Sequence, residues 1–389
     1  MDVVVIGAGA SGIIAAIKAS YKNRVILLDS NDKCGKKILI TGNGNCNYWN
    51  EFIDINKYQT DNKELLNNIL KRQKEVFNFL SDIGIYPKIK NGLYYPYSNQ
   101  ASSIREIFQR EIYKHNIDFK PNFKVVNIIK QGEKFIIESE FEKIVTDKVI
   151  IATGSKAYPK TGSMGFGYEI ANKFNIRVNE VLPALTRLKS NEPYLKDWEN
   201  VRCEAKISLF INDEYKTEET GELHLTKNGI SGICVFNISS LVSKNLNNKI
   251  NVVIDFLPNI DINNIFKNND KTIEEELESL FHYKLMFVLL KKAGISKDKK
   301  FISLTNLEKE NLISQLKHFN LPITETDGFE TCQVCTGGVS LNEIKENMEC
   351  KKIPNLYFVG EVLDVDGKCG GFNLAFAFIT GYIAGSDLC

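Results

Sequence analysis

The sequence predicts an α/β fold in which a parallel sheet is interrupted by an inserted segment. The chain opens on an apolar strand that leads into a Gly-rich turn and a helical pattern, and a second apolar strand follows at 24–28. Buried strand patterns recur at 148–153 and 356–360, as expected when a chain leaves a sheet and later returns to it. Between these two returns the pattern changes to strict alternation and then to helical stripes. We therefore expect a discontinuous domain that carries a β-rich and a helical insertion.

The first turn has the spacing G-x-G-x-x-G, with Gly7, Gly9 and Gly12 at the glycine positions. In a Rossmann-like unit the first glycine permits the tight turn, the second lets backbone approach a pyrophosphate, and the third allows close strand–helix packing. The phosphates would lie on free N–H groups at the helix N-terminus. Asp29 follows the second strand and is placed to accept a hydrogen bond from a ribose hydroxyl. The unit predicts dinucleotide binding, with NAD and FAD equally favoured and a chance Gly-rich turn as the alternative.

The composition is that of a globular protein without a strong electric field. The 389 residues are 43% hydrophobic and 25% charged, with a formal net charge of +1, so we expect neither a nucleic-acid partner nor an anionic membrane surface. The nine cysteines are irregularly spaced and predict a reducing, cytoplasmic location rather than a disulfide framework. The sequence contains neither a long apolar run nor a basic leader, so we expect no membrane span and no signal peptide.

The remaining segments can be assigned in chain order. Those before residue 153 are a loop over 29–50, an amphipathic helix over 61–81, a hairpin over 85–97 turning on Asn91-Gly92, a helix over 101–114, an antiparallel meander over 124–145 and the strand 148–153. Those after it are strands at 201–212, 221–226 and 249–257, helices from 261 to about 320, the strand 356–360 and a helix over 370–387. This order predicts a discontinuous domain of residues 1–186 and 331–389, a β-rich domain over 187–260 and a helical domain over 261–330.

A Gly-rich loop at 35–47 is the first candidate site outside the opening turn. Gly42 and Gly44 would let backbone lie against a flat ring, while Asn43, Asn45 and Asn47 offer amide donors and acceptors. The preceding lysines, at positions 36 and 37, could meet phosphate or adenosine. A solvated surface loop is the alternative interpretation.

Two other Gly-containing segments carry weaker signals. The glycines at 162, 165 and 167 do not directly follow a strand, so we expect no second nucleotide site there. Cys332 and Cys335 have the spacing of a redox dithiol, but a working dithiol favours a helix N-terminus, and Gly337-Gly338 follows instead. Buried small residues are the favoured interpretation of this pair.

The segment 360–374 places an acid-bearing loop between a strand and a helix that starts near Gly371. That helix N-terminus would stabilise negative charge on a ring system above it. Asp364 and Asp366 resemble the start of a calcium loop, but the later acids of that pattern are missing, so we expect no metal. The four histidines are far apart in the sequence and none lies in a paired ligand motif.

Taken together, these motifs resemble the YhiN/BaiN-type flavoproteins, also described as aminoacetone oxidase family FAD-binding enzymes. The matching segments are GAGASG at 7–12, GKKILITGNGNCN at 35–47, ATGSKAYPKTGSMGFGY at 152–168, GELHLTKNGISG at 221–232, TGGVSL at 336–341 and GEVLDVDGKCGGFNLAFA at 360–377. The resemblance implies a two-dinucleotide-binding-domain flavoprotein fold, non-covalent FAD, an inserted β-barrel-like domain and a small helical domain.

The resemblance also implies which residues hold FAD. These are Gly7, Gly9, Ala10, Ser11 and Gly12 at the pyrophosphate; Asp29 at the ribose; Lys36, Lys37, Thr41, Gly42, Asn43, Gly44, Asn45 and Cys46 beside adenosine and flavin; Val125 or Val126 at adenine; Thr153 and Gly154 near the dinucleotide; and Gly360, Glu361, Asp366, Gly371, Phe372, Asn373 and Leu374 along the ribityl chain and pyrimidine edge. Two departures stand out. Residues 43–45 replace a Gly-Gly-Gly-Arg run that would place a cation near the flavin, and Cys332 and Cys335 replace Ala and Thr.

The function this implies is that of an FAD-dependent oxidoreductase. Flavin N5 would exchange a hydride with a small organic substrate held between the FAD domain and the insertion, with NADH or NADPH as candidate electron donor. The sequence identifies neither the substrate nor catalytic residues, and it leaves the oligomeric state and the redox activity of Cys46, Cys332 and Cys335 open. The alternatives are an FAD-binding regulatory protein without turnover and a tRNA-associated flavoprotein, the latter disfavoured by the near-zero net charge.

The expected role of the helix start gives a first prediction. The substitution Asn373→Glu, which introduces a bulkier acid, should lower both the FAD affinity and the flavin reduction potential. The added negative charge would repel the negative charge on the reduced flavin ring. FAD titration and equilibration with a reference dye measure the two quantities. Values equal to those of the parent protein would contradict this role for the helix start.

Overall fold

The computed structural model describes residues 1–265 and 270–389. Its strands are β1 (Asp2–Ile6), β2 (Arg24–Leu28), β3 (Trp49–Asn50), β4 (Tyr58–Thr60), β5 (Pro87–Lys90), β6 (Leu93–Pro96), β7 (Asp118–Lys120), β8 (Val125–Gln131), β9 (Lys134–Ser139), β10 (Lys143–Thr146), β11 (Lys148–Ile151), β12 (Val178–Ala184), β13 (Leu188–Lys189), β14 (Arg202–Ile211), β15 (Glu214–Thr226), β16 (Gly229–Ser231), β17 (Ile250–Asp255), β18 (Phe319–Ile323), β19 (Glu325–Thr326), β20 (Val334–Val339), β21 (Leu356–Phe358) and β22 (Val365–Gly367). Its helices are α1 (Ala10–Ala19), α2 (Lys63–Leu70), α3 (Gln73–Asp82), α4 (Ala101–Lys114), α5 (Phe166–Lys173), α6 (Ile233–Ser243), α7 (Ile262–Ile265), α8 (Ile273–Leu277), α9 (Tyr283–Ala293), α10 (Asn306–Lys317) and α11 (Phe372–Asp387).

The chain forms two compact units. The first contains Met1–Leu182 and Val334–Cys389, and the second contains Pro183–Gln333. These borders fall close to the predicted ends of the discontinuous domain. The further division of the inserted segment at 260/261 stays a prediction.

A parallel sheet in the order β21-β11-β1-β2-β7 forms the centre of the first unit. Ile6 at the end of β1 is paired with Leu28 on one side and with Ile151 on the other. The residues from Val3 to Ile6 are all buried, as expected for a central strand whose two faces are both covered. The prediction of a Rossmann-type parallel sheet is confirmed, and β11 and β21 join it after long excursions of the chain.

Smaller antiparallel sheets surround this layer. The predicted meander forms a sheet in the order β10-β9-β8, and the predicted hairpin forms β5 and β6 beside β3. The hairpin turns on Asn91 and Gly92, whose φ angles are 51° and 75°. Two consecutive positive φ angles are typical of the type I′ turn that Asn-Gly favours. Both of these predictions are confirmed.

Two local predictions were wrong. The segment 61–81 forms the two helices α2 and α3 rather than one, because four consecutive polar residues, 71–74, interrupt the apolar stripe and let the second half reorient to bury its own face. The predicted loop at 29–50 contains a 3₁₀ turn over Lys37–Gly44. Thr41, Gly42 and Asn43 break its helical geometry, so that part of the segment remains irregular.

The helices α1 and α11 pack closely in the first unit. A Cβ atom placed on Gly381 would lie 2.2 Å from the carbonyl oxygen of Ser11, and one placed on Gly385 would lie 2.5 Å from that of Ala15. Both contacts advance by four residues in the same direction, so the two helices run parallel. Glycine at these two positions is therefore a requirement of the packing.

The second unit is built on an antiparallel sheet in the order β18-β17-β14-β15-β16-β13-β19. Its two edge strands are separated in the chain only by Thr324. In a flat sheet of this size the edges would lie about 29 Å apart, whereas the connection between them can span only about 7 Å. The sheet therefore curls until its edges meet, and the Thr324 amide donates to the Lys189 carbonyl at 3.0 Å. This is the barrel-like insertion that the resemblance implies.

Strands and helices of the second unit contribute to one hydrophobic cluster. Trp198 is fully buried in it, and its ring packs 5.2 Å from that of Phe319 and 6.4 Å from that of Phe256. Leu285 of α9 and Leu312 of α10 belong to the same cluster. Among the described residues of the chain, no helix combines the length and apolar character needed to cross a membrane.

The α1–α11 contact gives a stability prediction. Gly381→Ala should lower the free energy of unfolding of the first unit by about 1–3 kcal/mol, because the new methyl group has no room beside Ser11. Urea unfolding of a Trp198→Phe background reports on this unit, since Trp49 is then the remaining tryptophan of the chain. Gly328→Ala is the control, because nothing lies within 4 Å of a Cβ atom there. Equal midpoints for Gly381→Ala and its background would contradict the close packing.

Candidate functional site

The three glycines of the first turn have different surroundings. Gly7 has a φ of +104°, and a Cβ atom on it would lie 2.4 Å from the Ala152 carbonyl oxygen. A Cβ atom on Gly12 would lie 1.9 Å from the carbonyl oxygen of Gly7. By contrast, nothing lies within 4 Å of a Cβ atom on Gly9. The protein's own packing therefore requires the outer glycines, while Gly9 leaves an open approach to the backbone.

The N-terminus of α1 is open to an anion. Gly9 occupies the N-cap position in an extended conformation, and no side chain caps the helix. The first-turn N–H groups of a helix have no intrahelical acceptor and carry its positive dipole end. The Ser11 side chain does not satisfy them, since it is buried and its hydroxyl donates to the Val359 carbonyl at 3.4 Å. Ala10 and Ser11 therefore offer backbone N–H groups rather than side-chain groups.

Asp29 is held firmly at the end of β2. Its Oδ2 accepts from the Ala8 amide at 2.7 Å, and its Oδ1 accepts from the backbone and side-chain nitrogens of Asn31 at 2.7 and 2.9 Å. A carboxylate has about four acceptor positions, so the ribose hydroxyl expected from the sequence could take the remaining one. The exposed Lys36 donates to the Asn31 side-chain oxygen at 3.1 Å, so its ammonium group lies close to Asp29.

The tip of the loop 35–47, at residues 42–44, is exposed to solvent, whereas Gly35 at its start is buried. Gly42, Asn43 and Gly44 are exposed, and the turn is closed by the Cys46 amide, which donates to the Thr41 carbonyl at 3.0 Å. The Cys46 side chain is fully buried, and this burial raises the pKa of its thiol to about 11. Burial therefore disfavours the thiolate form of Cys46, while a redox role for this thiol stays untested.

The loop 360–374 reaches α1 directly. Gly360 has a φ of +76°, and a Cβ atom on it would lie 2.4 Å from the Ser11 hydroxyl oxygen and 3.8 Å from Ala377 Cβ. Its amide donates to the Thr380 hydroxyl at 3.0 Å. The next residue, Glu361, forms an ion pair with Lys37, with 2.7 Å between Nζ and Oε2. The two Gly-rich loops therefore meet beside the opening turn.

Asn373 fixes the turn in front of α11. Its Oδ1 accepts from the Gly367 amide at 2.8 Å, and its Nδ2 donates to the Gly367 carbonyl at 2.9 Å. Gly371 is the N-cap of α11, with a φ of +89° and no side-chain cap. The buried Tyr58 holds the first turn from the other side, since its hydroxyl donates to the Phe372 carbonyl at 3.0 Å. The start of α11 is thus a second uncapped helix N-terminus, while Asp366 lies buried in the preceding strand.

The two helix N-termini are parallel and offset along the helix axis. Gly381 lies opposite Ser11, ten residues after the N-cap of α11, whereas Ser11 lies two residues after the N-cap of α1. At 1.5 Å per residue this offset is about 12 Å. An elongated ligand with two electron-rich groups separated along its length fits such a pair of positive dipole ends. A dinucleotide with a diphosphate and a flavin ring has these properties.

The remaining predicted residues lie at the start of strand β8 and just after strand β11. Val126 is 52% exposed at a β-bulge, whereas its neighbour Val125 is buried. The Thr153 hydroxyl is buried and has no hydrogen-bond partner, and a Cβ atom on Gly167 would lie 2.5 Å from it. Gly154, with a φ of +71°, continues the chain from there. The Thr153 hydroxyl therefore lies beside the opening turn, covered by Gly167 and without a hydrogen-bond partner.

A polar network that sequence reasoning missed supports the loop 360–374. The Asn179 side-chain nitrogen donates to Asp61 Oδ2 at 2.9 Å and to Asp364 Oδ2 at 2.6 Å. Asp61 also accepts from the Ser340 hydroxyl and, at 3.1 Å, from the Leu341 amide. The Asn179 amide thus bridges two carboxylates that are far apart in the sequence. No local sequence motif predicts this network.

The structure places neither cysteine of the Cys332–Cys335 segment at a helix N-terminus. Cys332 is fully buried, and its thiol donates to the Phe329 carbonyl at 3.6 Å. Cys335 is buried in strand β20. This matches the expectation that no helix follows the pair, and the redox role of the two thiols stays untested.

The fold and the paired helix ends define the class of the protein, a dinucleotide-binding flavoprotein. More particularly, the chain belongs to the HI0933-like protein Rossmann domain family, which matches residues 1–387. It is 36% identical to the 3-dehydro-bile acid delta(4,6)-reductase of Clostridium scindens, over 98% of this chain and 97% of that protein. It is 29% identical to the ribosomal RNA dihydrouridine synthase of Escherichia coli, over 100% of this chain and 98% of that protein.

Solved flavoprotein structures share the fold. An open conformation of a flavocytochrome c3 fumarate reductase superposes with a TM-score of 0.54 at 14% identity, covering 100% of this chain and 78% of that one. The 3-ketosteroid delta1-dehydrogenase of Sterolibacterium denitrificans superposes with a TM-score of 0.50 at 10% identity, covering 100% and 99%. These two structures share the fold alone, whereas the family and the full-length reductase relative make this chain an FAD-dependent oxidoreductase with FAD as its cofactor.

The open surface at Gly9 gives a prediction that separates binding from folding. Gly9→Val should weaken FAD binding by more than about tenfold, because its side chain occupies the approach to the diphosphate. The unfolding midpoint of the apoprotein should stay unchanged, since the added atoms meet nothing within 4 Å of Cβ. Flavin fluorescence measures the first quantity and urea unfolding the second. Parental FAD affinity in this variant would contradict the placement of the diphosphate.

Proposed function

We propose that this protein is an FAD-dependent reductase that saturates a carbon–carbon double bond conjugated to a carbonyl group. The observation that carries the proposal is the 36% identity to a bile acid delta(4,6)-reductase over almost the whole of both chains. The more distant full-length relatives are named for making dihydrouridine, which also requires saturation of a double bond conjugated to a carbonyl. Both reactions add a hydride and a proton across an activated double bond.

The residues of the first unit would divide the binding of FAD among them. The N–H groups after Gly9 would hold the diphosphate, and Asp29 would hold the adenosine ribose. The loops 35–47 and 360–374 would enclose the ribityl chain and the ring. Reduced FAD, when bound, supplies the hydride. The positive end of α11 would stabilise negative charge on the adjacent ring edge.

We propose NADH or NADPH as the reductant. The chain carries one G-x-G-x-x-G unit, at Gly7–Gly12, and FAD would occupy it. A reductant without its own nucleotide-binding unit would therefore approach the flavin at the same position as the substrate. Alternation of the two ligands at one position predicts ping-pong kinetics.

An RNA uridine is the second candidate substrate. It is favoured by two relatives named ribosomal RNA dihydrouridine synthase, 29% and 27% identical over nearly the full chain. The net charge of +1 provides no long-range attraction for RNA, and phosphate contacts dominate affinity in most RNA complexes. We therefore place a small apolar enone first.

Anaerobic turnover tests the two substrate classes against each other. The holoprotein is reduced with NADH or NADPH and then mixed with a 3-oxo-4,6-diene bile acid or with an unmodified ribosomal RNA transcript. We expect the bile acid to reoxidise the flavin and lose its conjugated absorbance, with mass spectrometry showing two added hydrogens per bond saturated. A saturated 3-oxo bile acid is the control and should leave the flavin reduced.

The other outcomes point to the alternatives. Dihydrouridine in the RNA together with an inert bile acid would overturn the small-molecule proposal in favour of the second candidate. Reduced flavin that neither substrate reoxidises would overturn both substrate assignments. Protein that does not retain FAD would overturn the proposal as a whole.

A further inference from the structure

We propose that Lys37 and Glu361 form a clasp that ties the two cofactor loops together and slows the release of FAD. The proposal rests on the placement of FAD given above and adds to it a role for two residues of the same site. In this role the two side chains act on each other, and FAD is retained because the loops 35–47 and 360–374 stay joined.

The pair is a long-range contact in a partly buried place. Nζ of Lys37 lies 2.7 Å from Oε2 of Glu361, and the two side chains are 22% and 21% exposed. The two residues are 324 positions apart in the sequence. Fully exposed ion pairs contribute little, because water screens them and the long side chains lose entropy. Partial burial reduces that screening and makes an unpaired partner costly.

Glu361 is the fixed half of the clasp. Its backbone carbonyl accepts from the Tyr168 hydroxyl at 3.3 Å, and its carboxylate also accepts from the Ser155 hydroxyl at 3.4 Å. Tyr168 is buried, and this burial, together with nearby acidic groups including Glu361, holds its pKa well above the ordinary range, so the phenol remains a donor. The preceding residue, Gly360, is packed against Ser11.

Lys37 is the half that belongs to the irregular segment. It begins the 3₁₀ turn that runs into the exposed residues 42–44, where the backbone leaves helical geometry. Its ammonium is engaged by a carboxylate, so it brings little net positive charge to a diphosphate. A direct phosphate contact, as the sequence suggested for the lysines at 36 and 37, therefore suits Lys37 less well than the clasp does.

The clasp predicts non-additive effects on the rate of FAD release. Lys37→Met and Glu361→Gln should each release FAD about tenfold faster than the parent, because each leaves a half-buried group without its partner. The double variant should release FAD no faster than the faster single variant. The charge-reversed pair, Lys37→Glu with Glu361→Lys, should return to within about threefold of the parent.

The measurement uses the holoprotein diluted into an excess of an FAD-binding scavenger, with flavin fluorescence followed over time. Lys33→Met is the matched control, because it removes an exposed positive charge close to Lys37 in the sequence. Lys37→Arg keeps the charge and should release FAD at nearly the parental rate. If Glu361→Gln does not fold, the test uses the FAD release rates of three lysine variants, Lys37→Met, Lys37→Arg and Lys33→Met. The clasp requires faster release in Lys37→Met and not in the other two.

Three results would overturn the clasp. The first is a double variant whose acceleration equals the product of the two single effects, because the side chains would then contact FAD independently. The second is an unchanged release rate in Lys37→Met. The third is equal acceleration in Lys33→Met, which would indicate a general charge effect. All three leave the FAD site intact, whereas a parent protein that binds no FAD would overturn the proposed function instead.

Discussion

The close parallel packing of α1 against α11 is the constraint on which the rest of the first unit depends. It requires glycine at 381 and 385, where the carbonyl groups of Ser11 and Ala15 occupy the space of a side chain. Because the helices run parallel, their positive ends point the same way, about 12 Å apart along the axis. A wider or antiparallel packing would separate the two helix ends that the proposed FAD site uses together.

The pairing of strands in the parallel sheet brings the loop 360–374 close to the opening turn at Gly7–Gly12. Strand β21 pairs with β11, which pairs with β1, so the segment after β21 emerges beside the turn after β1. The chain can leave this sheet for the second unit because that unit closes its own barrel and buries its own core. Because the strand edges of the insertion pair with each other, they do not need to pair with the parallel sheet of the first unit.

The contacts that shape the site are polar and long-range. Lys37 meets Glu361, and the Asn179 amide joins Asp61 to Asp364. Each of these pairs joins segments that the chain delivers from opposite ends of the first unit. A partly buried charge or amide is costly without its partner, so these contacts favour one arrangement of the loops over others of similar apolar burial.

The sequence alone determined the features that depend on neighbouring residues. The opening turn, the Asn91-Gly92 hairpin, helix α4 and the meander of β8, β9 and β10 follow from local sterics and from the period of apolar residues. The resemblance to a flavoprotein family, which the comparisons confirm, rested on motifs of the same local kind. The residues expected around FAD were also found by motif, and their roles remain predictions.

Only the tertiary structure decided the features that depend on distant partners. The closure of the barrel through Thr324 and the parallel contact of α1 and α11 at Gly381 leave no signal in the neighbouring residues. The ion pair of Lys37 with Glu361 also leaves no local signal, because the chain contains many other lysines and acidic residues that could form ion pairs. A single sequence records which residues are adjacent along the chain, whereas packing and charge pairing are set by which segments the fold brings together.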